Sequence, residues 1–345
     1  MESSQHDGLY PVTQNRKCGY IDATGKLIIK LEFDSCGDFS EGLAAVSLGK
    51  RIGFIDTQGK FEINPQFALV NIDDSKFSGG LAVVNVGFDR EKEQPGKYGY
   101  INRAGKFIQD PAFVSAEPAK DGYVRVSDQA KPYLLRVRGN GLETPGFTSL
   151  PEGFEIEESF RDGLAKARRK NSPNDFAFID TNNMLAFRGK YRQVNSFSEG
   201  FVSFQPLGEE NVKCGYLDKK GKEVIPARFQ ICKEFSEGLA GVMLNGKWGF
   251  IDRTGEVVIS PQFDGFGFFS ERFSEGLAAV ATGSKCGYID KTGKFVINPQ
   301  YDAGSSFVGG VARVSLIALE GATNQDRMKS GYINRSGKVI WAPSN

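Results

Sequence analysis

Acidic residues recur along this 345-residue chain where a carboxylate could serve as general acid, base or nucleophile. Asp22, Asp56, Asp180, Asp218, Asp252 and Asp290 share one sequence context, with Asn102 and Asn334 in two further copies. Glu41, Glu199, Glu237 and Glu275 share another. Two such groups about 5–10 Å apart would suit glycoside hydrolysis, so a hydrolase using a carboxylate pair is one function class to weigh. Recurrence argues against it. A group that returns with the same neighbours each time holds backbone geometry, and the glutamates are expected to hydrogen-bond locally, before the glycine that follows them.

Other chemistries find less support. The one histidine, His6, lies in a polar N-terminal tail, which excludes a His-rich metal site and a Ser-His-Asp hydrolase. Cys18, Cys214 and Cys286 occupy one recurring position, and Cys36 and Cys232 each lie 18 residues beyond a cysteine of that type. No CxxC spacing suggests zinc. An odd number of cysteines in a long chain reads as free thiols in a reducing compartment, each a small buried hydrophobe. No catalytic, metal-ligating or cofactor-binding residue is expected, and no cofactor.

One charge cluster stands out. Between 161 and 192 lie Arg161, Lys166, Arg168, Arg169, Lys170, Arg188, Lys190 and Arg192 against three acidic residues, a local +5 on a chain of net charge +1. This is a candidate patch for an anionic protein surface or a polyanionic glycan, set against a solvated face with no partner. Nucleic acid is disfavoured, because the total charge is near neutral and no recognition motif accompanies the cluster. No apolar run approaches the ~20 residues that span a bilayer. The start, MESSQHDGLY, has no basic segment followed by an apolar stretch, so a cytoplasmic, non-spanning protein is expected.

The elements that place these residues come from a repeat. The phrase CGYIDATGKLII from Cys18 returns from Ile52, Tyr98, Cys214, Trp248, Cys286 and Ser330, with worn copies from Pro132 and Phe176. Its glycines include Gly19, Gly53, Gly215, Gly249 and Gly287. A second phrase, FSEGLAAV at Phe39, returns at Phe77, Phe160, Phe197, Phe235, Phe273 and Phe307. Nine repeats follow a tail at residues 1–7 and fill 8–345 as one array, with repeats four and five, about 120–199, degenerate.

Each repeat carries three β-prone runs, of the type LAAV, GFID and KFVI. D-x-x-G joins the second and third, as in Asp22 with Gly25, Asp56 with Gly59, Asp252 with Gly255 and Asp290 with Gly293. The Asp accepts backbone N–H bonds and the Gly takes positive φ, which closes a hairpin. A proline after the third run, as in Pro261–Gln262–Phe263, is expected to stop the ladder while the aromatic turns back onto the sheet. The fold class is therefore all-β: tandem three-stranded antiparallel β-meander repeats, stacked as an open solenoid or superhelix. The alternative is a closed β-propeller-like ring. Two aromatics per repeat, packed on the next repeat, supply a core that one sheet cannot make alone.

K-W-G-F-I-D-x-x-G-x-x-V-I-x-P-Q-F-D stands nearly whole at residues 247–264, and F-S-E-G-L-A at 39–44, 235–240 and 273–278. These phrases resemble the WG-repeat family, also called KWG repeats, over residues 8–345. Only Trp248 keeps the naming tryptophan. The resemblance implies a largely bacterial group of binding or scaffolding modules and brings no active-site residues. The expected function is a non-enzymatic module for protein–protein interaction, with carbohydrate or cell-envelope polymer binding as the alternative. Three long inserts, at 85–97, 205–213 and 315–329, join the first and second runs and are candidates for a common rim.

Overall fold

The computed structural model describes residues 7–129, 132–139, 141–143, 151–182, 184–208, 213–266, 272–316 and 329–342. The fold is all-β: antiparallel meanders of three or four strands follow one another along the chain, those of repeats two and three are joined into one seven-stranded sheet by the Ala68–Asn85 pairing, and among the described residues none closes into a barrel. Two compact bodies are formed. One holds residues 1–22, 26–172 and 177–185, and the other 23–25, 173–176 and 186–345.

Repeat seven shows the plan. Strand Ile231–Ser236 pairs with Leu239–Leu244, that with Lys247–Ile251, and that with Val257–Phe263. The expected three strands are the last three. The fourth is a leading strand, only two residues long in repeat two (Ser35–Cys36), which lies along the LAAV strand before the FSEG turn. Repeat one has three strands, Leu9–Gln14, Lys17–Asp22 and Leu27–Phe33.

Three hairpins join the four strands, and the first and last show how they close by local chemistry. At the last, Gly255 N–H donates to Asp252 O (3.1 Å), and Asp252 Oδ1 accepts from the N–H groups of Thr254 (2.9 Å) and Glu256 (3.0 Å). The same side-chain bond to the fourth residue on is made by Asp22, Asp56, Asn102, Asp180, Asp218, Asp290 and Asn334. Asn substitutes freely because only the Oδ1 acceptor is used. At the first hairpin, F-S-E-G-L closes on two residues, and both carry positive φ: Glu41 at 54° and Gly42 at 81°. That is the requirement of a type I′ turn, whose twist matches the strands it joins.

Proline does not end the last strand of the repeat. Val257–Phe263 runs through Pro261, but the register jumps: Phe250 faces Ile259 and Trp248 faces Phe263. The three residues between bulge over Gly249, where a Cβ would lie 2.4 Å from Ile259 O and 2.7 Å from Pro261 N. A bulge tolerates proline because its N–H would have no ladder partner. The glycine of the W-G pair is there for this close approach.

The core lies between consecutive repeats. Tyr20 of repeat one meets Phe39 of repeat two edge-on at 4.8 Å, and Tyr216–Phe235, Phe250–Phe273 and Tyr288–Phe307 repeat the contact at 4.9 Å. All these rings are buried. Each is worth about 1.5–3 kcal/mol of burial, with about 0.5–1.5 kcal/mol more for the ring pairing.

Candidate functional site

The recurring carboxylates are taken up by the frame. The aspartates sit in their turns. The glutamates do not bond locally as expected; each reaches into the next repeat. Glu199 accepts from Glu237 N–H (2.7 Å) and Gly238 N–H (3.0 Å), 38 and 39 residues on, and from Arg253 Nη2 (2.9 Å). Glu237 accepts from Gly276 N–H (3.0 Å) with Lys291 Nζ at 3.2 Å, and Glu275 accepts from Gly310 N–H (2.8 Å). In the first body Glu41 accepts from Gly80 N–H (3.0 Å). Serine of the same phrase adds a second tie: Ser198, Ser236 and Ser274 donate to the carbonyls of Phe235, Phe273 and Phe307 at 2.6–2.8 Å. A glutamate tolerates its left-handed backbone because that conformation aims the carboxylate at the neighbour. Burial pushes the Glu199 carboxyl up, but Arg253 and the two N–H groups outweigh it and hold the group below its ordinary 4.5.

A third tie comes from tyrosine in the GYI and GYL copies. Tyr20, Tyr100, Tyr216 and Tyr288 donate to the carbonyls of Gly37, Glu117, Lys233 and Ser305, each 17 residues on. These contacts were beyond sequence reasoning as applied to single motifs. Their signal was the fixed spacing between the two phrases.

The cysteines are the clearest correction. Cys18–Cys36 and Cys214–Cys232 are disulfides, each 18 residues apart, and only Cys286 is a free thiol, buried. Equivalent places in equivalent repeats bring the two side chains together across a repeat junction, which a free-thiol reading of the odd count overlooked.

The candidate basic residues are divided between the bodies. In the first, Lys166 is buried and pairs with Glu158 and with Glu157 (3.7 Å), Arg168 pairs with Glu157 (3.0 Å), and Lys170 with Glu155 (3.6 Å). Arg169 lies over the Phe154 ring at 5.5 Å, and Arg161 is half-buried. In the second, Arg188 forms a two-pronged bond to buried Asp175 (2.9 and 2.7 Å), while Lys190 and Arg192 are exposed. The partners Glu155, Glu157 and Glu158 lie just before residue 161. Counted from 155 to 192, eight basic residues face six acidic ones, a local +2.

Of the three inserts, 209–212 and 317–328 lie outside the described residues. The insert at 85–97 is an ordered ribbon, continuing strands Leu81–Asp89 and Gln94–Asn102. Buried Asn85 holds its base, accepting from Phe88 N–H (3.1 Å) and donating to Pro95 O (3.2 Å). Gly96, at φ 64°, is required there, since a Cβ would lie 2.2 Å from Asn85 Oδ1. The ribbon carries Val86 and the charged run Arg90, Glu91, Lys92 and Glu93 into solvent.

The second body holds a recess of about 630 Å³ lined by Gln193, Asn195, Ser203, Lys233, Glu234 and Arg272, with the Cys214–Cys232 bridge in its wall. Gln193 Nε2 donates to Asn195 Oδ1 (3.0 Å), and Asn195 Nδ2 donates to Ser203 Oγ (2.8 Å). Arg272 lies 3.9 Å from Glu234. Such a lining can bind polar groups through hydrogen bonds. Among the described residues, no cluster of three or more His, Cys, Asp or Glu could hold a metal.

The chain is similar in structure to Kluyveromyces lactis Hsv2p, at 8% identity and TM-score 0.39 over 74% of this chain and 96% of that one. It is also similar to PorZ, a surface component of the type-IX secretion system of Porphyromonas gingivalis, at 8% identity and TM-score 0.33 over 89% and 44%. The tricorn protease is matched at 11% identity and TM-score 0.32 over 98% and 39%. No curated protein matches the sequence. The WG containing repeat model matches residues 19–51, 52–87, 98–130, 215–248, 248–286 and 287–316, together more than half the chain. With its glycine bulges, Asp turns and Ser-Glu ties in those stretches, the chain belongs to the WG-containing repeat family, whose repeats build non-catalytic interaction modules.

Proposed function

We propose that this chain is a protein-binding scaffold whose repeats form a rigid frame and whose 85–97 ribbon is a contact element. The carrying observation is the order of that ribbon. Its base is held by a buried asparagine and a required glycine, so its exposed tip is presented in one conformation. Binding through a pre-ordered element avoids much of the ordering cost that a loose loop incurs. The repeated polar groups are engaged within the frame, which leaves non-repeated features for recognition.

The test is capture with the intact chain beside two variants, followed by reassembly from purified components. One variant replaces the ribbon tip by a two-residue Asn-Gly turn. The other reverses Arg168, Arg169 and Lys170 to Glu. The expected result is a stoichiometric protein that reassembles with the intact chain and not with the ribbon variant. Equal binding by the ribbon variant overturns the ribbon's role, and loss confined to the charge-reversed variant moves the contact to the basic residues.

The recess favours a second reading, carbohydrate binding, because two amides, two serine hydroxyls, two cations and one carboxylate line it. Glycan-array binding that is lost on Asn195→Ala and retained by the ribbon variant would select it.

A further inference from the structure

We infer that both cysteine pairs are cross-linked in the working protein, and that the chain matures and acts where thiols are oxidised. This replaces the expectation of a reducing cytoplasm. It does not depend on what the scaffold binds.

Three observations carry it. First, the pairing is built twice. Cys18 with Cys36 and Cys214 with Cys232 have the same 18-residue separation and the same Cα–Cα distance of 6.0 Å, within the range a bridge requires. They lie in different bodies, so one does not impose the other. Elsewhere the two repeat positions hold Tyr98 and Ala116, or Trp248 and Phe266. Both cysteines at the second position face a cysteine at the first.

Second, each pair joins successive repeats at the place where the tyrosine tie also crosses. Cys18 and Cys214 are buried beside Tyr20 and Tyr216, and Cys36 and Cys232 begin the next sheet. A bridge there holds two repeats together and limits the unfolded chain.

Third, the fifth cysteine is made harmless. Cys286 faces Gly304, where a Cβ would lie 3.1 Å from its Sγ, so it has no cysteine to pair with. It is buried, and burial pushes its thiol up to about 12. A lone thiol in an oxidising compartment invites mispairing unless it is shielded and protonated, as this one is.

Each bridge forms by exchange with a disulfide oxidant, either a dithiol–disulfide oxidoreductase or a small disulfide. One cysteine thiolate attacks the oxidant's disulfide, giving a mixed disulfide and releasing one oxidant sulfur as thiolate. The second cysteine's thiolate attacks the protein-side sulfur of that mixed bond, closing the bridge and releasing the other. The cysteine pair loses two protons and two electrons, and the oxidant leaves as its reduced dithiol form. Because Cys18, Cys214 and Cys232 are buried in the folded state, exchange precedes the final packing of each junction.

The test needs no variant. The protein is trapped in its source by acid quenching, alkylated under denaturing conditions, and mapped by peptide mass spectrometry before and after reduction. The expected result is labelling of Cys286 alone before reduction and of all five cysteines after it. Labelling of Cys18, Cys36, Cys214 and Cys232 before reduction in most of the protein overturns the inference. One bridged pair beside one reduced pair also overturns it, since an oxidising compartment acts on both.

Discussion

Two junctions in the second body are near copies: repeats six to seven, and repeats eight to nine. At both, a tyrosine hydroxyl crosses to a backbone carbonyl, from Tyr216 to Lys233 (2.7 Å) and from Tyr288 to Ser305 (3.0 Å). At both, the tyrosine meets a phenylalanine of the next repeat at 4.9 Å, and a glutamate reaches the next turn glycine. They differ in what overlies this frame. The first carries Cys214–Cys232 and an Arg253–Glu199 contact of 2.9 Å. The second carries unpaired Cys286 opposite Gly304, and its Arg335–Glu275 distance is 3.9 Å. The non-covalent ties are thus the general solution, and the bridge is an addition where two facing positions are both cysteine.

Four experiments measure how far the two junctions are equivalent. The largest effect is expected at the shared glycine. Gly215→Ala and Gly287→Ala place a Cβ 2.3 Å from Ile225 O and 2.6 Å from Ile297 O, so each should cost about 3 kcal/mol or more in urea unfolding. A loss below about 1 kcal/mol at either would show that the bulge can retreat. Next, Cys214→Ser with Cys232→Ser should cost about 3 kcal/mol, from a closed loop of moderate length. No measurable loss would leave the whole junction to the non-covalent ties.

Third, Glu199→Gln should cost about 1.5 kcal/mol and Glu275→Gln less, following the closer cation at Glu199. The pH dependence has a definite sign. The Glu199 carboxyl is held below 4.5 in the folded state, so its contribution is complete above that value and is lost as pH falls through the lower native one. Asp252 and Asp290, held below 3.8 by the hydroxyls of Thr254 and Thr292, add to the same acid loss. Acid unfolding curves should therefore flatten in Glu199→Gln, and an unchanged curve would remove the clamp from the account. The smallest effect on stability is expected from Gly304→Cys. A bridge to Cys286 should form and consume both thiols, but the new Cβ would lie 2.4 Å from Tyr288 Oη, so the net change should stay within about 1 kcal/mol. Adding Tyr288→Phe should raise the yield of the bridge; equal yields would mean the tyrosine moves aside without cost.

How far the sequence was legible depends on the distance over which each residue acts. Asp252 bonds within four residues of itself, so its turn could be read from D-x-x-G alone. Glu199 looks the same in local context, but its partners are 38, 39 and 54 residues away, and a local bond was wrongly assigned. The basic cluster was legible only in part for a related reason. A count from Arg161 leaves out Glu155, Glu157 and Glu158 on the neighbouring strand Phe154–Arg161, where Glu155 stands opposite Arg168 and Glu158 opposite Lys166. The ribbon at 85–97 read as a loop because its order rests on one buried amide.

The repeat, the antiparallel hairpins and the all-β class follow from the order of residues alone, because strand alternation and turn chemistry act between residues close along the chain. That order also marked the aromatic pair that each repeat must bury. Folding set which repeated polar groups tie repeats together, that four of five cysteines are bridged, and that Lys166, Arg168, Lys170 and Arg188 meet acidic partners. Those outcomes depend on what folding brings opposite each side chain: a neighbouring strand of the same sheet for the basic residues, and the next repeat for the ties and the bridges.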